Sequence, residues 1–385
     1  MRWLMLLVAA GFLHACSDTD APGDEEKSRV LLELRPYAPS FLEVAPIQTR
    51  AFPEDYGYRS YSSLNDLFWS QEDLVDKTIH LLFIKEGNNT YEEGNFYKSG
   101  DTWRSTVEMK TDLYHIYGFI PDGVAHGGVT DVAGLNGDYT KGVSFTLSRL
   151  TSITPSDVCV TVAAGRGDEN GPDDNFAIGK FGFQAQQMAD KNFVYLLFDH
   201  IYSSVCFSFK VDPEYDKLRT IKLKKLRLTS SDLKREVNAQ VTLTANAANP
   251  LSVTFTGYGT ATADGDEDGE LFKEDPTKDI KPIRLYPNTP SDFLGCFVPG
   301  NYNAFTLEST YDVYDKNETA EHPDGNLVRK DCVAKNSINL RNLLATGTWQ
   351  RGVMVKLTLT VNPTYLYMLS EPDLENPAVK VSSGS

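Results

Sequence analysis

Most of the chain alternates apolar and polar residues with a period of two, the pattern of a half-buried β-strand. The clearest run covers residues 353 to 361, where valine and leucine alternate with methionine, lysine and threonine. Similar runs predict strands at Val30 to Leu34, Thr78 to Lys85, Thr106 to Ile120, Val143 to Leu150, Val205 to Val211, Val237 to Ala245, Leu251 to Phe255 and Phe305 to Tyr314. Short strands separated by turn residues are typical of antiparallel β-sandwiches, so the sequence predicts an all-β protein.

The length of the chain, 385 residues, is sufficient for two domains of ordinary size. We place the boundary after residue 215, because Pro213 follows the long strand that ends at Val211. The predicted organisation is an N-terminal β-sandwich over residues 29–215 and a C-terminal β-sandwich over residues 216–385.

The start of the chain departs from this pattern. Arg2 is followed by an apolar run, and Leu13-His14-Ala15-Cys16 has the spacing of a bacterial lipoprotein signal, although His14 is off the usual pattern. The run, of about 13 residues, is shorter than the roughly 20 that cross a bilayer as a helix. We therefore expect residues 1–15 to be a signal peptide and Cys16 to carry the lipid. The alternative is an ordinary secretory peptide with a cysteine there by chance.

The chain is acidic, both in one N-terminal segment and overall, and this limits the classes of molecule that it can bind. Residues 16–28 are small and acidic, which predicts a tether rather than a folded element. The whole chain has a formal net charge of -16. That balance argues against binding to nucleic acid and against binding to an anionic membrane surface.

Four cysteines remain once Cys16 is assigned to the lipid. Export permits disulfides, and four thiols allow three pairings or none. Cys159 and Cys206 lie out of phase with the apolar residues of their strands, so we expect both to point away from the core. They could meet only if their strands are neighbours. The pairing of Cys159, Cys206, Cys296 and Cys332 stays open.

The sequence contains no recognisable catalytic centre. Its six histidines have no metal-ligand spacing and no serine elbow is present, so we predict no catalytic residue, no metal ligand and no cofactor. His200 is expected to be a structural histidine, with a role as a ligand as the alternative.

One acidic loop, at residues 264–269, has the first carboxylates and the glycine of a calcium loop. Its twelfth position is Asp275 instead of glutamate, which favours a solvated loop. Calcium binding at Asp264, Asp266 and Asp268 stays open.

The first predicted strand has a distinctive position. Val30, Leu32 and Leu34 share one face, and a proline-rich stretch leads from this strand to Arg50 in a long connection open to a protease. Three buried aliphatic side chains at about 1.5–3 kcal/mol each make loss of the strand cost about 5–9 kcal/mol. A domain opened in this way would recruit a strand from a neighbouring subunit. The alternative, which the spacing alone favours, is that Arg50 is an ordinary loop arginine and the strand stays.

Three segments of the chain resemble the fimbrillin family, the lipoprotein precursors of type V pilus subunits. The resemblance covers both predicted domains. The segments are LYHIYGFIP at residues 113–121, LFDHIYSSV at residues 197–205 and LTVNPTYLYMLSEPDLENP at residues 359–377.

The resemblance implies two tandem transthyretin-like sandwiches, export as a palmitoylated lipoprotein to the outer membrane, and trimming by an arginine-specific surface protease. Carried over onto this chain, Cys16 is the acylated residue and Arg50-Ala51 is the cut, with Arg59 as a rival. The strand removed is Val30 to Leu34. A strand from the C-terminal region of another pilus subunit would then fill the vacated groove.

The sequence therefore predicts a non-enzymatic structural subunit of a cell-surface pilus, assembled by donor-strand exchange and serving adhesion. The alternative is an outer-membrane-anchored surface lipoprotein that binds glycan, or that caps or anchors the pilus and keeps its first strand. Shaft, tip and anchor roles are not separated, and the adhesion receptor is not identified. The aromatic candidates for stacking on glycan are Tyr56, Tyr58, Tyr61, Trp103 and Tyr258.

Overall fold

The computed structural model describes residues 28–38, 41–44, 78–88, 90–99, 102–186, 192–261, 269–302, 305–339, 344, 348–361 and 379–383. In these ranges the protein is nearly all β, as predicted. Its helical elements there are a four-residue helix, α1 (Pro213–Asp216), and a 3-10 turn at Pro276–Lys278. No helix in the described ranges has the length and apolar character needed to cross a membrane.

The strands of the first half of the chain are β1 (Ser28–Tyr37), β2 (Leu42–Val44), β3 (Ile79–Lys85), β4 (Glu92–Phe96), β5 (Lys98–Ser99), β6 (Thr102–Met109), β7 (Leu113–Ile120), β8 (Val129–Leu135), β9 (Asp138–Thr151), β10 (Ile153–Thr154), β11 (Cys159–Gly167), β12 (Gly182–Gln184) and β13 (Asn192–His200). The second half contains β14 (Ser203–Val211), β15 (Thr220–Thr229), β16 (Lys234–Thr244), β17 (Leu251–Ala261), β18 (Glu270–Lys273), β19 (Ile283–Arg284), β20 (Ser291–Phe297), β21 (Phe305–Tyr314), β22 (Leu327–Ile338), β23 (Val353–Val361) and β24 (Val379–Ser383).

Pairing arranges the described strands in four sheets. Sheet A has the order β4-β3-β7-β11-β13-β1-β6-β5, with β12 beside β7. Sheet B has the order β10-β20-β14-β23-β2, with β24 also on β23. Sheet C has the order β17-β16-β9-β8, and sheet D has the order β18-β15-β21-β22, with β19 beside β15.

Two of these sheets combine strands from both sides of residue 215. In sheet C, β9 pairs with β16, and in sheet B, β2 pairs with β23. The division of the chain into two sandwiches at that residue stays a prediction.

Period-two patterning corresponds to burial in the strands with one apolar face. In β23, Val355, Leu357 and Leu359 are buried, while the residues between them are partly exposed. The same alternation is seen along β16. These strands therefore have the half-buried character that their sequence predicts.

Strands β11 and β14 are buried on both faces, which makes one prediction wrong. Cys159, expected to point away from the core, belongs to it, so the prediction is wrong for this residue. Cys206 is also buried, because the second face of its strand is covered, but it is not part of the hydrophobic core. Burial raises the pKa of the Cys206 thiol to about 11, so it stays protonated at neutral pH. The two cysteines lie in different sheets, and no disulfide joins any two of the four cysteines in the described residues.

The single strand predicted from Thr106 to Ile120 is two strands, β6 and β7. The polar residues at 110–112 separate them. The strands are not neighbours: β6 pairs with β1 and β5, whereas β7 pairs with β3, β11 and β12. The break thus sends the chain from one end of sheet A to its interior.

Gly118 lies in β7, where the neighbouring backbone leaves no room for a side chain. Its N–H donates to Oγ1 of Thr161 at 2.8 Å. A Cβ atom at this position would lie 2.2 Å from the backbone oxygen of His80, far inside van der Waals contact. Glycine is therefore required here by the close approach of β3.

We expect Gly118→Ala to lower the free energy of unfolding by about 1–3 kcal/mol, because β3 and β7 must move apart to admit the methyl group. Urea denaturation of the full chain measures this change. Gly171→Ala is the matched control, since a Cβ there meets nothing within 4 Å. Equal stabilities of the two variants would show that β7 adjusts without cost.

Candidate functional site

Strand β1 lies inside sheet A and pairs on both of its edges. It runs parallel to β13 over residues 32–37 and antiparallel to β6 over residues 28–34. In the described part of the sheet, β5 and β6 pair with the other strands only through β1. Strand β1 is therefore the joint between one end of the sheet and its centre.

The apolar face of β1 is buried as the sequence predicts. Val30, Leu32 and Leu34 are 2%, 0% and 1% exposed, and all three belong to the hydrophobic core. Pro36 and Ala38 continue the buried positions on the same side of the chain. The strand thus fills a seat, here called the β1 seat, formed by β13, β6 and the core beneath them.

The opposite face of β1 contains a buried carboxylate. The side chain of Glu33 is 0% exposed, and its two oxygens lie 2.6 Å from Nη2 of Arg35 and 2.7 Å from Nε of Arg104. Such a carboxylate is stable in the interior only when cations and hydrogen bonds compensate for lost water. Because Arg104 is directly opposite Glu33 on β6, this ion pair joins the two strands.

Aromatic contacts fasten the same face of β1 to β13. The rings of Tyr37 and Tyr195 are stacked, with centroids 6.1 Å apart and an interplanar angle of 9°. The guanidinium of Arg35 lies 5.4 Å from the centroid of the Phe193 ring. The hydroxyl of Tyr195 in turn donates to the backbone oxygen of Asp168 at 2.8 Å. Both faces of β1 are therefore engaged.

Trp103 lies on β6 opposite Leu34 and forms part of the wall of the β1 seat. It is 2% exposed, and Nζ of Lys98 lies 5.0 Å from its ring centroid. A side chain so deeply buried cannot stack on a soluble glycan. Of the aromatic candidates from the sequence, Trp103 is therefore a core residue.

The chain continues from β1 into sheet B. The N–H of Leu42 donates to the oxygen of Gly352 at 2.8 Å, and β2 pairs in parallel with residues 353–355 of β23. Strand β24 pairs with residues 357–361 of the same strand, and β14 occupies the other edge of β23. Strands β2 and β24 therefore lie end to end along one edge of β23.

Several predicted site residues lie outside the described residues. The proposed lipid attachment site, cleavage sites and calcium ligands therefore stay predictions, as do most of the aromatic candidates; β17 includes Tyr258, but the position of its side chain is not described. The residues outside are Cys16, Arg50, Ala51, Tyr56, Tyr58, Arg59, Tyr61, Asp264, Asp266 and Asp268.

A second candidate site, at the end of sheet A nearest Gly352, was not identified from the sequence. Asp157, Cys159 and His200 are brought together there, and Oδ2 of Asp157 lies 2.8 Å from Nδ1 of His200. The ring of Phe41 stacks on that of His200, with centroids 4.0 Å apart. The only local sign of this cluster in the sequence is the spacing of Asp157 and Cys159, two potential metal ligands separated by one residue. The pairing of β11 with β13 that supplies His200 was not visible in the sequence.

Comparison with known proteins gives structural neighbours only. No protein-family model and no curated protein sequence matches the chain. It is similar to a solved structure of a candidate cell adhesion protein from Bacteroides fragilis, with 10% identity and a TM-score of 0.41, covering 93% of this chain and 98% of that one.

Two further solved structures are similar over most of their length. One is a candidate cell adhesion protein from Bacteroides uniformis, with 12% identity and a TM-score of 0.37, covering 92% of this chain and 97% of that one. The other is a fimbrial protein from Bacteroides vulgatus, with 12% identity and a TM-score of 0.35, covering 93% of this chain and 98% of that one. These three similar structures are described as cell-adhesion or fimbrial proteins of Bacteroides species.

Proposed function

We propose that this chain is a structural subunit of a cell-surface pilus, assembled when proteolysis releases β1 and a strand from another subunit fills the β1 seat. The observation that carries the proposal is the position of β1. It is the first described strand, yet it lies between two others and buries three aliphatic side chains. Cleavage of one peptide bond is enough to disconnect such a strand from the rest of the chain. Its loss leaves the β1 seat empty, and another strand must then fill it.

The order of the strands supports release by a single cut. Strands β1 and β2 precede every other described strand, so cleavage after Arg50 separates both from β3 onward. The empty seat would be one strand wide, which leaves β13 and β6 about 10 Å apart. Their facing N–H and C=O groups would lose their partners, and unpaired buried backbone groups are costly. A new strand that pairs with both edges restores those hydrogen bonds.

The C-terminal strand is the best candidate for the donor. Strand β24 pairs with β23 alone in the described part of sheet B. Residues 362–378 connect the two strands, and a segment of that length can extend to at most about 60 Å. The sequence of β24 alternates valine at 379 and 381 with lysine and serine, as suits a strand with one apolar face. Such a strand provides backbone pairing for affinity and side-chain pockets for register.

The remaining parts of the proposal rest on the resemblance to the fimbrillin family. A lipid on Cys16 would hold the precursor at the outer membrane until the cut separates the folded domains from their anchor. The partners would be an arginine-specific surface protease and other pilus subunits of the same family. Adhesion would then be a property of the filament, with no catalytic residue required.

We expect Arg50→Ala to fold and be exported but to form no polymer, because β1 and the lipid anchor would remain attached. The measurement is the N-terminal residue of protein taken from the native cell surface, determined by intact mass and sequential degradation. Wild-type protein should begin at Ala51, and Arg59→Ala should behave like the wild type.

Other N-termini would revise the proposal in defined ways. Wild-type protein beginning at Ser60 would move the cut to Arg59. An acylated Cys16 on the mature wild-type protein would contradict removal of β1 and favour the anchor, cap or glycan-binding alternative.

We expect Leu32→Ala to destabilise the precursor by about 2–5 kcal/mol, because it leaves a cavity beneath β1. The mature polymer should keep the wild-type resistance to heat and detergent, since β1 is absent from it. Leu357→Ala, at an equally buried position in β23, is the control and should weaken both forms. A polymer weakened by Leu32→Ala would mean that β1 stays in place.

We expect deletion of residues 379–385 to leave a folded precursor that is cut normally but does not polymerise, because the donor strand is missing. Gel analysis without boiling, in mild detergent, separates polymer from monomer. Deletion of Gly384 and Ser385 alone keeps β24 and is the control. A normal ladder from the longer deletion would exclude β24 as the donor.

A further inference from the structure

We propose that Asp157, Cys159 and His200 form a binding site for one divalent transition-metal ion of the zinc type. This site lies at the end of β13, beyond the residues that pair with β1, and the proposal does not depend on pilus assembly.

Strand pairing places the three side chains together. Cys159 is the first residue of β11 and His200 is the last residue of β13, and the two are directly opposite in the antiparallel register. Opposite residues of such a pair project from the same face of the sheet. Asp157 precedes Cys159 by two residues, which puts it on that face as well. The site is thus built on the ends of two central strands of sheet A.

The distances between the donor atoms are close to those of a tetrahedral site. Sγ of Cys159 lies 3.2 Å from Oδ2 of Asp157 and 3.5 Å from Nδ1 of His200. Nδ1 and Oδ2 are 2.8 Å apart. Zinc bound to sulfur, nitrogen and oxygen in a tetrahedron holds such atoms about 3.3–3.6 Å apart. A movement of about half an ångström would therefore admit the ion.

The chemistry of the donors selects the class of metal. Thiolate, imidazole and carboxylate together suit zinc and its neighbours in the first transition row. Calcium and magnesium prefer oxygen ligands and would gain little from Sγ or Nδ1. On binding, the thiol S–H bond breaks and its proton leaves to solvent, while Nε2 of His200 carries the imidazole proton. Three protein ligands leave a fourth position for water or an incoming group.

The same geometry argues against a cysteine-based catalytic triad. In a triad the nucleophile and the carboxylate contact different nitrogens of the histidine, so that the ring can pass a proton between them. Here Sγ of Cys159 and Oδ2 of Asp157 both face Nδ1 of His200. The carboxylate of Asp157 therefore cannot orient the ring through one nitrogen while the other nitrogen takes the proton of Cys159. Convergence on a single nitrogen is the arrangement expected of ligands around a common ion.

Burial distinguishes this cluster from an ordinary surface group. His200 is 2% exposed, and its Nε2 has no hydrogen-bond partner among the described residues. The ring is nevertheless held firmly: Phe41 stacks on its face, and Arg351 bonds to the side chain of Asp199 at 2.7 Å and to the oxygen of His200 at 3.2 Å. The imidazole is therefore fixed in position before any metal arrives.

The test uses cobalt(II) as a spectroscopic probe on the full chain, purified in detergent and stripped with a chelator. One equivalent should produce visible ligand-field absorption and a thiolate-to-cobalt charge-transfer band, and zinc should displace it. Zinc should also raise the melting temperature by several degrees, as a ligand that binds only the folded state does. A wild-type spectrum without a thiolate band, or no binding, overturns the proposal.

Variants assign the ligands. Cys159→Ser and His200→Gln should each bind zinc at least 100-fold more weakly, and Cys159→Ser should lose the charge-transfer band. Cys332→Ser is the control, because this partly exposed thiol lies on β22 in another sheet, and it should bind as the wild type does. Melting in chelator shows that each variant is folded. Unchanged zinc affinity in a folded Cys159→Ser or His200→Gln protein contradicts the site.

Discussion

The pairing of β1 on both of its edges is the constraint on which the rest of the structure depends. Strands β5 and β6 join the described part of sheet A through it, and its apolar side chains complete the core below. Beyond β1, the ring of Phe41 covers His200 at the end of β13, and β2 then pairs with β23 in sheet B. One short segment thus supports two sheets, and its contacts are concentrated in the first described residues of the chain.

Much of the strand content was predictable because half-buried strands must alternate. The strand predicted from Phe305 to Tyr314 is β21 with the same bounds, and β14, β16 and β23 are found where period two places them. Prediction failed where the physical reason for alternation is absent. Strands β11 and β14 are covered on both faces, so the phase of Cys159 and Cys206 did not report exposure. The break between β6 and β7 contains no glycine or proline to mark it.

The candidate sites also differ in how far local sequence predicts them. The buried face of β1 follows from local spacing alone, and Val30, Leu32 and Leu34 were identified from it. The partner of Glu33 is Arg104, 71 residues away, and the partner of Cys159 is His200, 41 residues away. Such pairs are set by strand register, which depends on the whole set of long-range pairings and not on any local pattern. The local sequence therefore predicts which face of a strand is buried, but not which side chains meet across a sheet.

The attachment of β1 to its own domain also has a kinetic consequence. While the connection is intact, β1 competes for its seat at an effective concentration on the order of millimolar, because it cannot diffuse away. A strand offered by another molecule would be outcompeted at any ordinary protein concentration. Once the connection is cut, the folded domains and the anchored fragment that contains β1 can diffuse apart, and this advantage is lost. Hydrolysis of one peptide bond would thus make strand exchange directional, without any change in the contacts that the seat provides.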